Sequence, residues 1–109
     1  MDALARAMNV PLHDLPVPSL LMTKGEEGAI FRTEGEDIEQ PAFHVDPVDT
    51  TGAGDTFLGA FLARLTTGDD PAEALKYASA ASALQITRPG AADAIPSQSE
   101  VEQFLKERP

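Results

Sequence analysis

The stretch "DTTGAGDTFLGAFLARL", residues 49–65, decides how the rest of this chain is read. Its first eleven positions hold two acids, three threonines and three glycines, and the remainder turns apolar. Phe57, Leu58, Phe61, Leu62 and Leu65 fall on one stripe of a helix, for which Gly68 is the expected stop. A helix start carries backbone N–H groups without intrahelical partners, and the macrodipole adds partial positive charge there. Small residues before it let the backbone approach an anion, so the amides of Gly52, Ala53 and Gly54 can converge on a phosphate as a nest. Asp55 does not suit a plain phosphate loop, because a carboxylate repels a resting phosphate. It suits a site where a proton leaves a nucleophile beside a phosphoryl group, with the amides stabilising the transferred charge. The alternative reading makes Asp55 an ordinary N-cap and the glycines an ordinary turn. Spacing alone leaves both open. Two other nucleotide-binding patterns are excluded. G-x-G-x-x-G needs glycine at position 57, where Phe57 stands, and the Walker pattern needs Lys-Ser or Lys-Thr after its last glycine.

Working towards the N-terminus, "AFHV" (42–45) alternates apolar and polar residues before Pro47. "SLLMT" (19–23) and "AIFR" (29–32) read as strands, joined through Gly25 and Gly28. Gly35 predicts a hairpin into an edge-like segment at about residues 37–40. "DALARAMN" (2–9) reads as helix, with Leu4 and Met8 one turn apart. Pro11, Pro16 and Pro18 then predict a loop. Towards the C-terminus, "DPAE" (70–73) starts a helix with Asp70 as N-cap, Pro71 at the first helical position and Glu73 reaching back. That helix runs through the small residues "ASAASA" (78–83), which permit close packing, and ends before Pro89-Gly90. "SQSE" (97–100) is a capping box that opens a last helix with Val101, Phe104 and Leu105 inside.

Composition narrows the classes. The 109 residues are 42% hydrophobic and 24% charged, which is globular, with a net charge of −10 that disfavours nucleic acid as a partner. Cysteine is absent, so disulfides and thiol catalysis are excluded. No apolar run approaches the ~18 residues of a membrane span. Asp2 after Met1 starts no secretory signal, and a soluble cytoplasmic protein without membrane partners is expected.

The segment "DTTGAGDTFLGAFL" (49–62) resembles the C-terminal signature of the ribokinase-like (PfkB) carbohydrate and nucleoside kinases. "TKGEEG" (23–28) is similar to that family's T-x-G-x-x-G segment, "EALKYASAASALQITRPGA" (73–91) to its nucleotide-side helix, and "IPSQSEVEQFL" (95–105) to its closing helix. The resemblance runs from about Ser19 to the C-terminus. It implies the C-terminal part of a three-layer α/β/α sandwich with a parallel-cored sheet, residues 1–109 forming part of one domain. A piece of that sheet on its own is expected to expose strand edges and an apolar face.

By resemblance, Asp55 would be the base that deprotonates the acceptor hydroxyl, and Gly52, Ala53 and Gly54 the anion hole. Thr23, Lys24, Gly25, Glu26, Glu27 and Gly28 would line the nucleotide, with Ser79 near its base or ribose. Asp49 and Thr51, with the carbonyls of Gln85, Arg88 and Gly90, match positions that bind a monovalent cation such as K+ in some members. Ala94 stands where the family often has a hydroxyl. The implied reaction is phosphoryl transfer from MgATP to a sugar or nucleoside hydroxyl, a free sugar being favoured. The family's acceptor-binding residues lie mainly in its N-terminal half, outside this sequence, so the chain reads as the C-terminal part of a kinase. The alternative is a truncated, non-catalytic remnant that binds nucleotide. The oligomeric state, a homo-oligomer included, stays open.

The other candidates have plainer readings. His13 and His44 are isolated, without ligand spacing around them. Glu34, Glu36, Asp37 and Glu39 read as a solvated hairpin tip, and Phe57 and Phe61 as core.

Overall fold

The computed structural model describes residues 7–12, 19–24, 27–33, 35–50, 52–89 and 96–107. Four strands come first: β1 (Ala7–Leu12), β2 (Ser19–Lys24), β3 (Ala29–Thr33) and β4 (Glu36–Gln40). Three helices follow: α1 (Ala53–Thr66), α2 (Pro71–Ile86) and α3 (Gln98–Glu107).

The strands form one sheet in the order β1-β2-β3-β4, antiparallel throughout. The parallel core expected of the family therefore does not lie among the described residues. Connections as short as the turn at Gly35, whose φ is 79°, can only join antiparallel neighbours. Register puts Leu21, Phe31 and Ile38 side by side on the inner face, where Leu21 and Phe31 are buried. Beside them the Ser19 hydroxyl donates to Thr33 Oγ1 at 2.9 Å. The outer face is mixed rather than apolar. Half-buried Leu20, Met22 and Ile30 sit beside exposed Arg32, Asp37 and Glu39, and Arg32 forks onto Asp37 at 2.7 and 3.0 Å. The outer edges of β1 and β4 have no strand partner among the described residues.

One expectation is corrected outright. Residues 7–12, read as the end of a helix and the start of a proline loop, form strand β1. Pairing with β2 outweighs a weak helix preference, and Pro11 is tolerated because β1 is an edge. The reading of Leu4 lies outside the described residues, as do those of His13, Pro16, Pro18 and Glu34. Residues 42–45 join no ladder.

Helix α1 turns Phe57 and Phe61 into a core with Leu21, Ala29, Phe31, Ala74, Leu75 and Ala78. Helix α2 starts as its sequence predicts: the Asp70 carboxylate accepts from the amides of Ala72 and Glu73, and Pro71 occupies the first helical position. The small residues of α2 pack on both sides. Ala74 and Ala78 join the core under the sheet, while Ala80, Ala81 and Ala83 pack with Val101 and Phe104 of α3. The α3 capping box is formed in both directions, Ser97 N–H to Glu100 Oε1 at 2.9 Å and Glu100 N–H to Ser97 Oγ at 3.2 Å. No helix among the described residues is long and apolar enough to cross a membrane.

Candidate active site

Helix α1 is capped by Gly52 in the left-handed conformation (φ 77°, ψ 3°), with no side-chain cap. Asp55 is therefore not the N-cap. It lies in the first helical turn, exposed, and its carboxylate has no hydrogen bond or ion pair among the described residues. The Ala53 amide is used inside the turn, donating to the Thr50 carbonyl at 3.2 Å, and the Thr56 amide donates to Gly52 at 2.9 Å. Between them, the amides of Gly54 and Asp55 meet no acceptor among the described residues. A carboxylate thus stands beside a helix start whose remaining donors and dipole attract negative charge.

Helix α2 holds this start in place from two points. The Ile86 carbonyl accepts from the amides of both Val48 and Asp49, the latter at 3.0 Å, and so fixes the segment leading into Gly52. The Ser82 hydroxyl donates to the Ala53 carbonyl at 3.4 Å. Asp55 and Gly52 open onto a groove of about 630 Å3 that runs along α1 between α2 and α3, floored by Gly59, Ala63, Ala81 and Val101. At its far end Arg64 forks onto Asp69 at 2.8 and 3.1 Å and stacks 4.9 Å from the Tyr77 ring centre.

Below the start, the end of α2 is joined to α3. Arg88 reaches Glu100 with Nη2 at 2.6 Å and Nη1 at 3.4 Å. That hydrogen bond, followed by the one from the Ser97 amide, holds the Glu100 carboxyl down at about 2.

Of the residues expected to line a nucleotide, Thr23 and Lys24 end β2, Thr23 being buried. Glu27 is exposed and Gly28 is buried with φ 105°, so close to the end of β4 that a Cβ would strike the Gln40 carbonyl. Ser79 is buried in α2 and is not presented to solvent. Gly25, Glu26, Thr51, Gly90 and Ala94 lie outside the described residues. The structure brings Asp49 to the α2 end that carries the Gln85 and Arg88 carbonyls, through the bond to Ile86. The Gln85 carbonyl accepts the Arg88 amide at 3.0 Å. Among the described residues, no cluster of His, Asp and Glu side chains could hold a metal ion. His44 is exposed and Phe57 and Phe61 are core.

The model of the pfkB family carbohydrate kinases matches residues 2–98. The chain belongs to that family. A ribokinase of Bacillus subtilis is 41% identical over 86 residues, covering 79% of this chain and 29% of the relative. The structure of Arabidopsis thaliana ribokinase with ribose and ATP superposes with a TM-score of 0.76 at 36% identity, over 79% of this chain and 28% of that one. A putative ribokinase II of E. coli, in complex with ATP and Mg2+, superposes with a TM-score of 0.73 at 37% identity, over 77% of this chain and 27% of that one. The fold is thus part of a ribokinase-type α/β fold, and the chain spans under a third of the length of these pfkB relatives.

Sequence reasoning missed Ser82, the Ile86 carbonyl and the pairing of Arg88 with Glu100. Backbone acceptors leave no motif. The nearest signal was the small-residue run 78–83, which marks α2 as a helix that others approach closely.

Proposed function

We propose that this chain forms the catalytic-base and nucleotide side of a kinase that transfers a phosphoryl group from ATP to a sugar hydroxyl. The observation that supports it best is the exposed carboxylate of Asp55, which has no partner among the described residues, beside the amides of Gly54 and Asp55, which meet no acceptor among them. Asp55 takes the proton of the acceptor hydroxyl as the oxygen attacks. The amides of Gly54 and Asp55, with the Gly52 turn behind them, stabilise the charge on the group in transfer. Little covalent work is left to the protein in such a transfer, so seating matters most, and α2 provides the seat.

The helix start suits a phosphate because the amides of Gly54 and Asp55 meet no acceptor among the described residues and the helix dipole adds partial positive charge there. ATP supplies the phosphoryl group when bound, with Mg2+ offsetting its charge. The end of β2 and Gly28 wall the nucleotide, Gly28 lying close against the end of β4. Ser79, buried in α2, is assigned to the neighbourhood of the nucleotide's base or ribose by family resemblance alone. For a monovalent cation, the chain offers the Asp49 segment and the carbonyl end of α2.

The test uses the full-length protein. Asp55→Asn should lower kcat by about 10²–10⁴-fold, the usual worth of a positioned base, and leave nucleotide affinity nearly unchanged. Near-normal turnover would overturn the assignment. Residues 1–109 alone should release no ADP in response to sugars, since the hydroxyl has nothing to orient it. Binding of ATP by that piece without turnover in any longer form would favour the non-catalytic alternative.

A further inference from the structure

The end of α2 is tied to α3 by an ion pair. Arg88 forks onto Glu100, and the same carboxylate accepts the Ser97 amide. An isolated exposed pair contributes little. This one differs in three respects. The geometry is a fork, the carboxylate is already oriented by the capping box, and both charges sit well against the helix dipoles. Glu100 lies in the first turn of α3, and Arg88 lies just past the negative end of α2.

Its position along the chain gives it reach. Two residues before Arg88, the Ile86 carbonyl receives the amides of Val48 and Asp49. The Arg88 amide donates to the Gln85 carbonyl at 3.0 Å, so the turn carrying Ile86 and Arg88 is one hydrogen-bonded unit. Holding the guanidinium restrains that turn, and through the Ile86 carbonyl the segment that leads to Gly52. By contrast, the Arg32–Asp37 fork has similar geometry but sits on the outer sheet face, away from α1.

We propose that Arg88 and Glu100 are positioning residues, whose pairing sets the Ile86 turn and thereby the approach of residues 48–52 to the α1 start. The proposal rests on the kinase reading above only for its kinetic consequence. The structural link itself can be read without turnover.

The experiment compares the natural full-length protein with Arg88→Gln, Glu100→Gln, the double variant, and Arg32→Gln as control. Two quantities are measured: hydrogen exchange at the Val48 and Asp49 amides, and kcat per folded molecule at saturating ATP and sugar. Each single variant should speed exchange at Val48 and Asp49 by about tenfold, equivalent to about 1.4 kcal/mol. Each should lower kcat by roughly ten- to a hundredfold, the effect of misplacing a reacting group from a distance. The double variant should lose no more than either single one, because both remove the same contact. Arg32→Gln should change neither quantity. Unchanged exchange at Val48 and Asp49 in Glu100→Gln, with faster exchange confined to residues 97–101, would overturn the proposal even in a protein without kinase activity. Normal exchange in every variant together with a lost kcat would equally reject the link through Ile86. Faster exchange in a protein that turns over no sugar would sustain the link and count against the kinase reading instead.

Discussion

Phe61 of α1 meets Phe31 of β3 edge-on, with ring centres 4.9 Å apart and planes inclined at 63°. Both rings are buried, and the contact seats the helix that carries Asp55 on the sheet. Edge-to-face aromatic pairs add to the burial of their area. Phe61→Ala should therefore cost about 3–5 kcal/mol of folding stability, the range for a deleted core phenylalanine. Chemical denaturation measures it, and a loss below about 1 kcal/mol would show that α1 is seated by other contacts.

The two glycines at the start of α1 should respond differently. Gly52 is left-handed, where a β-branched side chain is strained, whereas Gly54 lies in the first helical turn. Gly52→Val should lower stability by roughly 1–2 kcal/mol and also lower turnover. Gly54→Val should keep the fold, by circular dichroism and melting temperature, while turnover collapses because the side chain covers the open amide. Equal thermal losses at the two positions would assign Gly54 a structural role.

Gly28 and Gly59 make an opposite pair. A Cβ at Gly28 meets the Gln40 carbonyl, and its φ is 105°, so Gly28→Ala should destabilise by more than about 1 kcal/mol. A Cβ at Gly59 meets nothing within 4 Å, in an exposed part of α1. Gly59→Ala should stabilise the isolated chain by about 0.5–1 kcal/mol through helix propensity. Melting temperatures that move in the same direction for both would contradict this account.

Acid should loosen α3. The Glu100 carboxyl falls from its ordinary 4.5 to about 2 in the folded chain, through Arg88 and then Ser97. A group depressed on folding contributes stability above its unfolded value and loses it as the pH falls through the folded one. The contribution of Glu100 should thus be whole above about pH 5 and gone near pH 2. Asp37, lowered by Arg32, acts in the same direction but in the β3–β4 hairpin. Melting curves of natural protein and Glu100→Gln should accordingly differ at pH 7 and converge towards pH 2. Curves that stay parallel over that range would show that the pair does not hold α3.

Much of the local structure was legible in the sequence because the signals are local. Asp70-Pro71 and the Ser97–Glu100 box mark helix starts, Gly35 marks a turn, and the Phe57–Phe61 stripe marks a buried face. Residues 7–12 were misread because their helix preference is intrinsic, while the demand of the β2 edge for a partner is a tertiary effect. At the site, the acid and the glycines were legible, but not which residue caps the helix. That depends on the φ of Gly52, and Asp55 is acceptable both as a cap and within a first turn. The supports from Ser82 and Ile86 arise only when α2 meets α1 and the segment before it, 29 residues or more after the groups they hold.

That separation also orders events on the ribosome. Domains form from the N-terminal side as the chain emerges, and distant contacts carry a loop-closure cost before they contribute. The strand hairpins close on near neighbours and can form as soon as they are made. Asp55 leaves the exit tunnel well before Ile86, which anchors the segment ahead of it, and before Glu100, which steadies Ile86. A nascent chain halted between Gly68 and Gln98 carries every residue of the glycine turn, yet the last brace on that turn has still to be synthesised.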